Sequence, residues 1–217
     1  MDFTLYFTYA PLLAKGLAYT VFVCSIGLLI SLFAGLALYG VSQVAWLPLR
    51  IFYRGYLLIF RGTPLLVQVY LVFYGGPFVG IELSAEQVGI LGLGMYGAAY
   101  FAEIFRSGFA SIPKGQVEAS YDLGFSRWQT LTRVQIPQML GLIIPPSINQ
   151  SIILIKESAI LSIITVPEIT KAVVTMATQT FTVVEPYLFL AVAYWCITSA
   201  LARFGAWSEK RARHYLN

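Results

Sequence analysis

Residues 16–49 read GLAYTVFVCSIGLLISLFAGLALYGVSQVAWLPL and contain no Asp, Glu, Lys or Arg. A membrane-spanning helix needs about 20 consecutive apolar residues, so this run alone is long enough. Two more charge-free runs follow at 62–81 and 134–155. The whole chain of 217 residues is 58% hydrophobic and 11% charged, with a mean hydropathy of +0.75; soluble domains carry roughly 25% charged residues. So few charges cannot cover a water-soluble globule. The first run is also not a cleaved secretory leader, because only Asp2 and Lys15 precede it as charges and it is too long for an h-region. It is expected to be a retained first span.

Bounded by charges, Pro and Gly, five spans are expected at 16–40, 62–81, 87–105, 138–162 and 186–204. The runs are too continuously apolar for the alternating pattern of an outer-membrane barrel, so the fold class is all-α membrane. Residues 1–15 are expected to form a periplasmic segment, 16–205 the membrane domain and 206–217 a cytoplasmic tail. Loops rich in Lys and Arg stay in the cytoplasm. An inside C-terminus gathers Arg50, Arg54, Arg61, Arg106, Lys114, Arg127, Arg133, Arg203, Lys210, Arg211 and Arg213 on the cytoplasmic side and leaves only Lys15, Lys156 and Lys171 elsewhere. The basic excess is thus a membrane-topology signal, and no nucleic-acid partner is implied. Arg50, Arg54 and Arg61 fall on one stripe of a helix, which reads as a surface helix whose arginines reach anionic headgroups.

Several patterns carry no chemistry. Gly92, Gly94 and Gly97 spell GxGxxG inside a span, where close helix packing explains them better than a nucleotide site; Gly76 and Gly80 have GxxxG spacing and read the same way. No GxxxxGK[ST] occurs, so any ATP-hydrolysing P-loop must lie on another polypeptide. Cys24 and Cys196 lie singly in apolar runs, which suggests packing and neither a disulfide framework nor a metal site. His214 reads as a solvated tail residue. No catalytic cluster is visible, so the chain is not expected to be an enzyme, to hold a metal or to bind a cofactor itself. A channel is disfavoured because no ring-forming filter motif occurs.

The longest polar stretch lies between the third and fourth spans, with the segment of interest at 112–137. A short helix is expected to begin near Gln116, with Val117, Tyr121 and Gly124 or Phe125 on one face and Glu118 with Asp122 on another. Acidic residues early in this helix would suit its positive end, and Gly124 would allow a sharp or left-handed turn. Such a helix could dock in a groove of a partner protein or lie on the lipid surface.

Glu118-Ala119-Ser120, three residues, Gly124, nine residues, then Val134-Gln135-Ile136-Pro137 resembles the EAA motif of binding-protein-dependent ABC importer permeases. The family pattern is EAA, three residues, G, nine residues, I-x-L-P; Ser120, Val134 and Ile136 are departures from it. Arg61-Gly62-Thr63-Pro64 with Gln68, Ala102-Glu103-Ile104-Phe105-Arg106, Lys114-Gly115-Gln116, Lys156-Glu157-Ser158 and Val166-Pro167-Glu168 are similar to the histidine, arginine and glutamine type within that family. The resemblance spans nearly the whole chain. It implies a type I ABC importer permease fold and inward transport of polar amino acids, or of derived solutes such as opines or ectoines. It also implies that Gln116, Glu118, Ala119, Ser120, Asp122, Gly124 and Pro137 couple to an ATPase subunit that holds ATP and Mg. The further implied partners are a second permease subunit, identical or sister, and a periplasmic or lipid-anchored solute-binding protein. The implied location is the bacterial inner membrane.

Charges inside spans are costly and mark functional positions. Glu103 is expected to pair between helices or subunits. Pro145 and Pro146 suggest a break in the fourth span, which would let Asn149, Glu157 and Ser158 face a translocation cavity where a carboxylate meets an amino acid's ammonium group. The alternative is that Lys156 and Glu157 neutralise each other. Arg61, Thr63, Pro64, Gln68 and Lys156 are assigned structural or gating roles.

Overall fold

The computed structural model describes residues 4–213. His214 and Asp2 therefore lie outside the described residues, as do the ends of the expected terminal segments. Among the described residues the secondary structure is entirely helical, as expected for an all-α membrane protein. The elements are α1 (Thr4–Gln43), α2 (Leu47–Gly62), α3 (Leu65–Tyr70), α4 (Ala85–Ala110), α5 (Lys114–Asp122), α6 (Arg127–Thr130), α7 (Ile136–Glu157), α8 (Ile169–Thr180) and α9 (Val184–Arg213). A π-turn, Leu71–Gly75, and a 3-10 turn, Gly76–Val79, extend α3; a second π-turn, Leu131–Gln135, joins α6 to α7.

Four stretches are long and apolar enough to cross a membrane: Thr4–Gln43, Ala85–Ala110, Arg127–Ile164 and Val184–Arg211. A fifth span arises only if the pair Leu47–Gly62 and Leu65–Val79, bent by 104°, counts as one. The expected second span thus becomes an elbow. Its cause is local: Thr63 precedes Pro64, and proline forces the preceding residue out of the α region, here to φ −125° and ψ 147°. The Gln68 side-chain nitrogen holds the corner by donating to Phe60 O at 3.2 Å, Thr63 O at 3.1 Å and Thr63 Oγ1 at 2.9 Å.

α1 runs unbroken from Thr4 through Pro11, so residues 4–15 belong to the first helix and do not form a separate segment. It packs along α4 in the most extensive helix pair of the protein. Lipid supplies no hydrophobic drive for such pairing, and small residues that let backbones approach take its place. A Cβ on Gly94 would sit 2.5 Å from Ile30 Cγ2, and one on Gly97 would collide with Ser31; the Ser31 hydroxyl in turn reaches Gly27 O at 2.8 Å and Gly94 O at 3.1 Å. The glycines of the apparent nucleotide motif are packing residues. Gly76 and Gly80 do not pack helix on helix: Gly76 opens the 3-10 turn, where a Cβ would sit 2.6 Å from Ile81 O, and Gly80 follows the turn with φ +79° and open space around it. Cys24 is buried, as packing requires, whereas Cys196 is exposed on α9.

The fourth span is not broken at Pro145 and Pro146; α7 is α-helical through both. Two prolines remove only two N–H donors, and the surrounding helix is fixed by Met139 and Ile143, which occupy the space above Gly108 of α4. The irregularities lie at its ends. Pro137 cannot donate to the Arg133 carbonyl, and the π-turn that closes with Ile136 N to Leu131 O sits immediately before it. After Glu157 the chain tightens into the 3-10 turn Ser158–Ile164 and reverses at Thr165, φ 68°.

α8 was not expected from the sequence. It is short and amphipathic, burying Ile169, Ala172, Val173 and Met176 at the i, i+3, i+4, i+7 spacing of a helix face. Glu168, 0% exposed, caps it by accepting from Thr170 N and Lys171 N, each at 2.8 Å.

Candidate functional site

Two groups of residues were singled out, and they occupy different parts of the molecule. The coupling segment is a helix, a tight turn and a second helix. α5 starts at Lys114, two residues earlier than expected, so Glu118 falls outside its first turn and Asp122 is its last residue; neither acid complements the positive end of the helix. Gly124 takes the left-handed conformation, φ +81°. Gly124 N donates to Tyr121 O at 2.8 Å and Phe125 N to Ser120 O at 3.0 Å, the pair of bonds that closes a Schellman motif. Ser126 then opens α6 with a capping box: Gln129 N donates to Ser126 Oγ at 3.3 Å, and Ser126 N donates to Gln129 Oε1 at 2.8 Å.

The side chains of this segment divide sharply. Gln116, Glu118, Ala119, Asp122 and Gly124 are exposed, while Pro137 is half-buried at the foot of α7. Val117 leaves the expected apolar stripe and packs against the main core, whereas Tyr121, Leu123 and Trp128 stay 47%, 77% and 70% exposed. Ser120 is buried and bonds Thr130 at 2.9 Å, also donating to Val117 O at 2.7 Å. This bond fastens α5 to α6, which runs through the π-turn into α7. It also gives Ser120 a purpose where the EAA pattern has alanine.

The second group lies between α2, α4 and α7. Glu103 accepts from Tyr53 Oη at 2.7 Å and from Arg106 at 2.8 and 3.0 Å, and pairs with Arg61 at 3.6 Å. The expectation that Glu103 pairs between helices holds, with α2 as the partner helix. Arg61 is exposed like Arg50 and Arg54 and turns over the Tyr100 ring, 5.4 Å from its centroid. Tyr96 and Tyr100 join hydroxyls at 3.2 Å.

Of the three residues expected to share a cavity, Asn149 lines a pocket with Arg61, Glu103 and Arg106, and Glu157 is half-buried further along α7. Ser158 does not join them. It is 1% exposed, donates to Ile155 O at 2.8 Å and meets Tyr194 Oη at 3.5 Å, in a buried knot with Thr170 and Glu168. Lys156 is exposed, and no ion pair joins it to Glu157 among the described residues. The aromatic members of the track were missed from sequence, although Tyr96, Tyr100, Glu103 and Ser107 stand at i, i+4, i+7 and i+11.

Comparison with known proteins identifies the family. Residues 27–214 match the family model described as "binding-protein-dependent transport system inner membrane component". The chain belongs to that family. The permease is 36% identical over 212 residues to the probable amino-acid ABC transporter permease protein YckA of Bacillus subtilis, covering 95% of this chain and 91% of that one. It is 34% identical over 192 residues to the octopine transport system permease protein OccM of Rhizobium radiobacter, covering 82% and 78%. Among solved structures, a crystal structure of an amino acid ABC transporter with histidines aligns at TM-score 0.91 and 31% identity, covering 97% of this chain and 99% of that chain. The permease therefore has the type I ABC importer fold. It is an inner-membrane transport component, and its family role is transport and not catalysis.

Proposed function

We propose that this chain is the permease subunit of an ATP-driven importer that moves polar amino acids inward across the inner membrane by alternating access. The observation that carries this reading is the coupling segment: an exposed helix, closed by a Schellman turn and bolted by Ser120 to α6, presents Tyr121, Leu123 and Trp128 to a partner. A helix laid into a groove through such side chains is a recurrent docking mode. The partner is a separate ATPase subunit that holds ATP and Mg, and its closure pushes α5 through Gln116, Glu118, Ala119, Asp122 and Gly124. The distribution of the basic residues supports a cytoplasmic coupling segment and C-terminus and an outside N-terminus. A second permease subunit completes the route, and an external solute-binding protein delivers the substrate.

An amino acid is favoured over an opine or ectoine, because the relative named for octopine is the less similar of the two described and the structural neighbour is an amino acid transporter. Within the membrane, Glu157 meets the substrate's ammonium group and Asn149 lies further along the same path. In proteoliposomes that contain the permease, its ATPase and the binding protein, Glu157→Gln should lower uptake of labelled arginine, glutamine or histidine by about tenfold, the equivalent of about 1.4 kcal/mol. Copurification of the ATPase should be unchanged. Uptake at the wild-type rate would refute the assignment of Glu157.

A further inference from the structure

The pocket around Arg61, Glu103 and Arg106 holds more donors than the permease itself can satisfy. Two guanidiniums share one carboxylate, so the cluster keeps a net positive charge, and Arg61 is held more loosely, at 3.6 Å against 2.8 Å for Arg106. Each guanidinium has five N–H donors, and Glu103 engages only some of them. The pocket is also lined by Gln150, 5% exposed, whose side-chain nitrogen is buried without a hydrogen-bond partner. Buried polar atoms are nearly always paired, and each orphan asks for an explanation. The cavity measures about 350 Å³, within the range of small-molecule sites.

We infer that this pocket is an oxyanion site that holds the carboxylate of the amino acid on its way through the permease. The inference rests on the amino-acid importer reading above. Tyr100 lines the pocket and bonds Tyr96 one turn away on α4, while Asn149, Gln150 and Glu157 all stand on α7. Asn149 and Glu157 are eight residues apart on α7, or about 12 Å at 1.5 Å per residue. The α-ammonium and α-carboxylate of an amino acid hang on one carbon, so they cannot occupy both ends together. Glu157 and the arginine pocket are therefore successive stations, the first reading the ammonium and the second the carboxylate. The arriving carboxylate displaces Glu103 from Arg61, the weaker of its two pairs.

A lipid phosphate offers the same chemistry, so the test must separate the two sources. The purified permease–ATPase complex in phosphatidylcholine nanodiscs is treated with phenylglyoxal, and modification of each arginine is followed by mass spectrometry. The probe is whichever of arginine, glutamine and histidine the reconstituted importer takes up. That amino acid should slow modification of Arg61 and Arg106 at least threefold and leave Arg50 and Arg54 unaffected. Its methyl ester, which lacks the carboxylate charge, should give no protection, and Gln150→Leu should lose it.

Equal protection by acid and ester would overturn the inference. So would protection that depends only on adding phosphatidylglycerol, which would make the pocket a lipid site. Uptake without protection would sink the oxyanion site and leave the transport reading standing. If none of the three amino acids is taken up, the transport reading fails, and this inference fails with it.

Discussion

The Ser120–Thr130 bond fixes how firmly α5 is attached to the rest of the permease, and its worth can be worked from the geometry. Ser120 donates to Val117 O, so the 2.9 Å contact has Thr130 as the donor and Ser120 as the acceptor, with both residues buried. Ser120→Ala leaves the Thr130 hydroxyl without a partner, at a cost of about 1–3 kcal/mol. Thr130→Val leaves Ser120 its bond to Val117 and should cost less, about 1 kcal/mol. In the double variant no hydroxyl is orphaned, so its cost should fall short of the sum by about 1 kcal/mol. The readout is amide hydrogen exchange of the peptide covering 114–125 in nanodiscs. A loss of 1 kcal/mol speeds exchange about fivefold. If Ser120→Ala exchanges at the wild-type rate, or if the two costs simply add, the bolt does not hold α5 and the mechanical reading of the segment falls.

Three further outcomes follow from single contacts. Gly124→Ala keeps open space around the new methyl but forces a left-handed backbone, at about 1–2 kcal/mol; ATPase copurification should weaken, with Gly124→Asn milder, and equal retention by both would contradict this. Gly94→Ala drives a methyl into Ile30 at 2.5 Å and should cost about 1–3 kcal/mol of overpacking, lowering the melting temperature; Ile30→Ala in the same chain should restore part of it. Glu168→Ala strips α8 of its cap at about 1–2 kcal/mol, and exchange of the amides of Thr170 and Lys171 should rise while those of α4 do not.

The sequence made the apolar helices legible because lipid leaves the backbone no alternative to satisfying its own hydrogen bonds. It located the turn at Gly124 for a comparable reason: few residues but glycine enter that conformation without strain. It failed where tertiary packing decides. Pro145 and Pro146 look like a break, but α7 stays helical through both. Ser158 adjoins Glu157 in sequence, yet a helix sends adjacent side chains in different directions, and the two serve different surroundings. α8 escaped notice because it is too short to span and carries Lys171, although the Glu168 cap and four spaced apolar residues announced it. The arginine stripe was legible as a helix pattern, but not the reach of Arg61 to Glu103 and Tyr100, which lie some forty residues away.

The elbow at Thr63 gives the permease a bell-crank. One arm, α2, is joined almost at right angles to the other, Leu65–Val79, and Gln68 stiffens the corner. The second arm is 15 residues long, or about 22 Å at 1.5 Å per residue, so a roll of α2 by about 10° about its own axis would carry the arm's tip through roughly 4 Å. Tyr53 and Arg61, both on α2, grip Glu103 of α4. If loosening that grip lets α2 roll, the roll would be converted into a lateral sweep of the second arm.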